Sequence, residues 1–332
     1  MGINGLGPHG ERAAPADKIA LSEADAAKAR AGRFNAAVVL HTTSSDWARQ
    51  QLAGIAATLG AYSAAVVEVV DCGFDRSRQN SELLRLAEAN KVDAVFSIPI
   101  GNASVAPGHK AVARAGKKLV LFDNAPSGMA QGEDYVAVVS SDNVGLGEIA
   151  AGLLSPFIPE EGIAGMLTYS ADFFATNERE IGFRKWIGRH RPDVTIVRGR
   201  FDRVEGSRAA FAQMLEDNGD LDGLFAAWDV PALGALECLR AVSRPLAVTT
   251  CDLGNAIAEE LSRGDYVKGV VAQLPYDQGR AAALVSLLAL VGRPTPSWIA
   301  TPGLSVTRGD VVEAYQVVWH MPAPDSLRRL RR

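Results

Sequence analysis

Short apolar runs rich in β-branched residues alternate with segments of helical period from residue 36 to residue 306, and this alternation limits the possible folds more than any other feature of the chain. The runs at 36–40 (AAVVL), 65–70 (AVVEVV), 94–98 (AVFSI) and 119–122 (LVLF) read as strands bounded by turn residues. Between them, 47–59 places Leu52, Ile55 and Leu59 on one helical face and stops at Gly60 as a C-cap. Residues 79–90 group Leu83, Leu84 and Leu86, and 103–115 precede Gly116. The rhythm then repeats. Strands are expected at 136–139, 163–168, 194–199, 223–227, 246–250, 267–272 and 305–306. Helices are expected from about 144 and over 177–189, 205–218, 231–241, 255–263 and 276–291. Strand–helix–strand units at this spacing build parallel sheets buried on both faces. The strands are too many for one doubly wound sheet, and 332 residues suit two domains. No low-complexity linker separates the halves, so the junction reads as a short hinge of crossing strands. Residues 1–33 read as an N-terminal extension, with a mobile Gly/Pro-rich preamble through residue 18 and a short helix at 22–30 capped by Ser22.

Composition excludes several functions. The 34 Lys+Arg against 38 Asp+Glu leave a net charge of −4, which gives no electrostatic footprint for nucleic acid or an anionic membrane surface. The basic tail Arg328, Arg329, Arg331 and Arg332 is short and reads as a solvated end. The three cysteines make neither a disulfide scaffold nor a CxxC motif, and the five histidines are scattered without metal-ligand spacing. The cysteines are expected as small buried hydrophobes. His41, at a strand end, could be a general base, but no GxSxG elbow accompanies it and packing is the simpler role. GxGxxG and GxxxxGK[ST] are absent, and the lone GxG at Gly145 and Gly147 is a weak signal, so no cofactor and no enzymatic activity are expected. No run reaches the ~18 apolar residues of a membrane span.

Open α/β sheets bind ligands at the carboxyl ends of their strands. Asp123, Asp229, Asp252 and Gln273 follow expected strands there; Ser45, Asp46 and Trp47 follow the first strand; Arg179 follows the aromatic loop 172–174, which contains Phe173. Carboxylates accept from neighbouring hydroxyls, a guanidinium donates in a planar fork, and an amide does both. Aromatic rings cover the C–H face of a sugar. The combination suits a neutral polyhydroxylated ligand and disfavours an anion. Each residue alone has a plainer reading. Asp229 before Pro231 and Asp252 before Gly254 fit helix caps, Arg179 an exposed helix position, and Trp47 the core. Their joint occurrence at equivalent positions in both halves favours a site.

The stretches SSDWARQQLAGI, KVDAVFSIPIG, KKLVLFDNAP, VVSSDNVGLGEIAAGLL, TNEREIGFRKW, FAAWDVPALGAL, TTCDLG and VVAQLPYDQGRAAA, in this order, resemble the type I periplasmic solute-binding proteins of ABC sugar transporters, the ribose-binding-like branch. The resemblance implies two Rossmann-like α/β domains with doubly wound parallel sheets, joined by a three-strand hinge and closing on a sugar held between them. It implies an N-terminal lobe of 34–139 plus 275–302 and a C-terminal lobe of 140–273 plus 304–332. Position by position, Trp47 matches the ring that stacks on the sugar, Asp123 a hydroxyl-binding Asp, Arg179 the ligand Arg, Phe201 a second ring, Asp252 an Asp of the site, and Gln273 the hinge Gln. The chain departs from that pattern at Ser45, Ala48, Ile98, Asn124 and Trp228, where ribose binders have Asn, an aromatic, Asn, Arg and Asn. Polar contacts are lost and an indole is added, so a pentose, a tetrose or a four- or five-carbon alditol is expected in place of ribose. The resemblance further implies a monomer that works in the periplasm after removal of a signal peptide and delivers its ligand to the transmembrane subunits of a permease. The alternative is the effector domain of a lactose-repressor-type regulator. Such regulators carry a DNA-binding headpiece of about 60 residues, and only about 33 residues precede the first strand here.

Overall fold

The computed structural model describes residues 2–171 and 173–331; Asp172 of the aromatic loop and Arg332 of the basic tail lie outside the described residues. In chain order the strands are β1 (Ala14–Pro15), β2 (Asn35–Leu40), β3 (Ala65–Asp71), β4 (Ala94–Ser97), β5 (Lys118–Phe122), β6 (Ala137–Ser141), β7 (Ile163–Tyr169), β8 (Thr195–Phe201), β9 (Gly223–Ala226), β10 (Ala247–Cys251), β11 (Val267–Ala272), β12 (Trp298–Thr301) and β13 (Leu304–Val306). The chain forms two compact units. Residues 5–141 and 275–301 make an N-terminal lobe; residues 2–4, 142–274 and those from Pro302 onward make a C-terminal lobe.

The N-terminal lobe holds a parallel sheet in the order β1-β12-β6-β5-β4-β2-β3. From β2 the chain goes to β3 on one side and then to β4 on the other, so the strand order switches between β2 and β4. The C-terminal lobe repeats the device in the order β13-β11-β10-β9-β7-β8, with the switch between β7 and β9 and only β13 antiparallel to its neighbour. The central strands of both sheets, β2, β4, β5 and β6 in one and β7, β9, β10 and β11 in the other, are buried almost throughout. Along β9, Leu224 and Ala226 join one apolar cluster and Phe225 the other, as strand alternation requires, and Phe225 stacks on Phe183 at 4.6 Å.

Each lobe is pinned by one close helix crossing. Helix Asp46–Ala61 meets helix Pro275–Leu290 where a Cβ on Gly54 would lie 2.1 Å from the Tyr276 carbonyl oxygen and one on Gly279 2.1 Å from that of Gln51. Helix Asn143–Leu154 meets helix Phe174–His190 in the same way, with Gly147 against the Arg179 carbonyl and Gly182 against that of Val144, both at 2.0 Å. Only glycine allows backbones this close. The GxG of the sequence is therefore a packing feature: Gly147 makes the crossing, and Gly145 lies against the carboxylate of Asp142 and donates its N–H to it.

Several elements differ from expectation. The preamble is built onto the N-terminal lobe: β1 pairs with β12, and Asp25 of helix Glu23–Gly32 accepts from Arg293 Nε at 2.7 Å. Ser22 does cap that helix, through the Asp25 N–H. Helix Asp46–Ala61 runs through Gly60 and ends at Tyr62. β12 and the helices Val311–Trp319 and Asp325–Arg331 were not legible in the sequence. The first of these helices, VVEAYQVVW, is rich in strand-forming residues, and its helical state rests on burying Val311, Tyr315, Val318 and Trp319 in the C-terminal core. Arg328 and Arg329 are exposed, and Leu327 packs inward.

Candidate functional site

In the C-terminal lobe, three strand ends bring their polar residues into direct contact. Arg179 is 4% exposed on helix Phe174–His190. Its Nε donates to Asn143 Oδ1 at 3.0 Å, its Nη1 donates to the Ala227 carbonyl after β9 at 2.9 Å, and the same nitrogen lies 3.5 Å from Asp252 Oδ2. The other carboxylate oxygen of Asp252 accepts from Gln273 Nε2 at 2.6 Å. A buried guanidinium must be paired, and this one is held by a carboxylate and two neutral acceptors.

Beside this array stands an aromatic wall. Trp228 meets Tyr169 edge-on at 5.6 Å and Phe201 at 5.3 Å, and Tyr169 lies 5.7 Å from Phe201. Trp228 is half-buried, Phe201 buried at the end of β8. Phe173 precedes helix Phe174–His190 in extended backbone, and its carbonyl accepts from Thr176 Oγ1 and the Asn177 N–H.

The plainer reading of the two aspartates does not hold. Trp228, not Asp229, is the N-cap residue of helix Asp229–Ala241, and Asp229 is its first helical residue. Gly254 caps helix Asn255–Arg263, which leaves Asp252 outside the helix and turned to Arg179 and Gln273.

In the N-terminal lobe, Trp47 sits in the first turn of helix Asp46–Ala61, edge-on to His41 at 5.8 Å, and His41 is edge-on to Phe74 at 4.9 Å. The Trp47 indole N–H is buried without a hydrogen-bond partner in the protein. Ser45 spends its hydroxyl as the helix cap, accepting from the Ala48 N–H at 3.1 Å, and Asp46 pairs with Arg49. Burial pushes the His41 imidazole down to about 4, against the pull of Asp71, so the ring is neutral and packs as an aromatic. Burial also pushes Cys251, beside Asp252, up to about 12, so its thiol stays protonated.

Asp123 follows β5, is 5% exposed, and has a left-handed backbone with φ +60°; Asp252 follows β10 with φ +71°. Each donates its N–H to the next strand over, Asp123 to the Val139 carbonyl and Asp252 to that of Val271, both at 3.0 Å. The same local device therefore carries an aspartate at the same place in each lobe. Asn124 follows Asp123 and is half-buried.

The expected residues thus fall into two sets, each inside one lobe. Arg179, Asp252 and Gln273 are bonded together, with Trp228 and Phe201 in the ring cluster, whereas Trp47 joins His41 and Phe74. Sequence reasoning missed Asn143, Tyr169 and Phe74 as members. Tyr169 closes an apolar run and reads as core; Asn143 sits in an SSDN turn, where an Asn is common for local reasons.

Two doubly wound sheets, linked by three direct hinge crossings at 141/142, 274/275 and 301/302, with polar side chains gathered at strand carboxyl ends of the C-terminal lobe, make the two-lobed architecture of a solute-binding protein. The comparisons agree. The chain belongs to the periplasmic binding protein domain family, whose pattern matches residues 36–294, and it is a type I member. It is 28% identical over 236 residues to the ribose import binding protein RbsB of Bacillus subtilis, covering 71% of this chain and 75% of that one. Among solved structures, it shares its fold with an ABC transporter solute-binding protein of Agrobacterium vitis bound to α-D-tagatopyranose (TM-score 0.78, 21% identity, 88% of this chain and 100% of that one). A second from the same organism, bound to allitol, gives TM-score 0.75 at 22% identity, covering 85% and 98%.

Proposed function

We propose that this chain is the periplasmic solute-binding component of an ABC importer, that it captures a neutral sugar or polyol, and that it delivers it unchanged to the transmembrane subunits of a permease. The observation that carries the reading is the Arg179–Asp252–Gln273 array at the strand ends of the C-terminal lobe. It offers charged and neutral hydrogen-bonding groups already held in place, with no free excess charge to attract an anion. Asp123, Asn124 and Trp47 supply the second half-site. Asp229 adds an acceptor at the edge, and Trp228, Phe201 and Phe173 add apolar surface. One ligand taken by both half-sites favours the closed state of the hinge, by as much as its differential affinity for that state. Relatives support the ligand class: the B. subtilis relative is a ribose import binding protein, and the Agrobacterium vitis structures hold a ketohexose and an acyclic alditol. An indole at residue 228 takes space, which favours a pentose, a tetrose or a four- or five-carbon alditol.

A thermal-shift panel of pentoses, hexoses, tetroses and alditols tests the reading. A ligand present at 1,000 times its Kd adds about 4 kcal/mol of stability. Calorimetry on Arg179→Ala and Asp123→Ala should then show a loss of about 10- to 100-fold in affinity, since each removes a charged hydrogen-bonding partner. Unchanged affinity in both variants sinks the site assignment.

A further inference from the structure

The chain makes one connection between its lobes beyond the three hinge segments. Residues 2–4 pack with the C-terminal lobe, while residues from Gly5 onward belong to the N-terminal lobe, where β1 enters the sheet. The arm is bonded at a particular place. The Asn4 N–H donates to Asp142 Oδ2 at 2.6 Å, and Asn4 Nδ2 donates to Glu148 Oε2 at 2.8 Å.

Asp142 is no ordinary acceptor. It is 2% exposed, it is the first residue past the hinge segment at 141/142, and its other oxygen caps helix Asn143–Leu154 by accepting from the Gly145 N–H at 3.0 Å. The next residue, Asn143, holds Arg179 through Nε. Two residues beyond Gly145, Gly147 packs against the Arg179 backbone. We propose that the N-terminal arm is a positioning element for the ligand-binding arginine: Asn4 holds the Asp142 cap, the cap fixes Asn143, and Asn143 orients the guanidinium toward Asp252. Only the ligand part of the inference rests on the sugar-binding reading above.

The test uses the full chain. Asn4→Pro removes both the backbone N–H and the side-chain amide; Asn4→Gly keeps the N–H, and Glu148→Ala removes only the side-chain partner. The first readout needs no ligand: water exchange of the Arg179 Nε–H resonance, assigned by its loss in Arg179→Lys, together with amide exchange at Gly145. Asn4→Pro should speed both by about tenfold, the effect of one hydrogen bond to a charged group, and Asn4→Gly should stay near the parent. The second readout is dissociation of whichever sugar the panel identifies, expected several-fold faster in Asn4→Pro. Unchanged exchange in Asn4→Pro overturns the proposal. Faster exchange with unchanged dissociation also overturns the positioning role. If no sugar binds the parent protein, the functional reading fails, and the Arg179 and Gly145 exchange rates still decide the arm.

Discussion

Asp123 and Asp252 pay for their orientation with backbone conformation. A left-handed residue with a Cβ costs roughly 1–2 kcal/mol, less for Asp than for most, and such outliers gather at functional sites. The conformation gives the strand end its turn while the N–H still bonds the neighbouring strand. At position 123 the two demands separate. Asp123→Gly and Asp123→Ala should both lose ligand affinity, yet the glycine variant should be the more stable by about 1 kcal/mol, because only it adopts φ +60° freely. Denaturant melts of the two variants check this; equal stability would show that the position carries no strain. At this scale the sequence was informative about type and poor about partners. An aspartate after a strand was readable, but its cap and ligand roles look alike in sequence; the cap positions fall on Trp228 and Gly254, one residue before Asp229 and two after Asp252. Asn143 and Tyr169 stayed hidden because their partners lie 36 residues or more away, or on other strands.

Between elements, glycine pairs set the geometry. Gly182 lies three residues after Arg179, so the crossing that brings Val144 against Gly182 also sets the height of the guanidinium over the C-terminal sheet. A Cβ at residue 182 would lie 2.0 Å from a backbone oxygen, which no rotamer change relieves. Gly182→Ala should therefore destabilise the protein by about 2–3 kcal/mol and weaken ligand binding together. Gly54→Ala, which strains the other lobe in the same way against Tyr276, should cost similar stability while leaving the Arg179 array intact. Thermal melts paired with calorimetry separate the two; an unaltered melt for Gly182→Ala would refute the close crossing. Sequence periodicity found these helices, but it held no sign that their glycines face one another, since that depends on which faces the sheets bring together. For the same reason β12 and the Val311–Trp319 helix escaped notice: their local preferences are weak or contrary, and burial decides them.

Across the whole molecule, the N-terminal lobe carries a buried polar clasp where the chain leaves it. Gln278 Nε2 donates to Ser141 Oγ at 2.7 Å and to Thr301 Oγ1 at 3.2 Å, and Gln278 Oε1 accepts from Gln51 Nε2 at 3.2 Å. Ser141 and Thr301 are the last residues before two of the crossings, and Gln278 lies just past the third, so one network ties all three roots to the helix that bears Trp47. The same lobe buries His109, whose Nδ1–H donates to the Val105 carbonyl and whose Nε2 accepts from the Ser97 hydroxyl. Burial pushes its pKa down to about 4 from the ordinary 6.5. The unfolded chain then binds more protons between those values, so stability is complete above pH 6.5 and falls as pH drops toward 4, by up to about 3 kcal/mol for this residue. Melts of the parent and of His109→Gln between pH 4 and 7 check the sign: the variant should lose about one proton's worth of the slope, and identical slopes would contradict a neutral buried ring.

The sequence by itself determined the alternation, the two parallel sheets, and which residue types stand at the strand ends, because periodicity and turn chemistry act over a few residues. Tertiary structure alone decided that Arg179 meets Asn143, Asp252 and Gln273, that glycines face each other across the helix pairs, and that an extension read as loose chain becomes a strand and an arm. Those outcomes depend on burial and on hydrogen bonds between residues distant in sequence, where a polar group removed from water must find its partner wherever the fold places one.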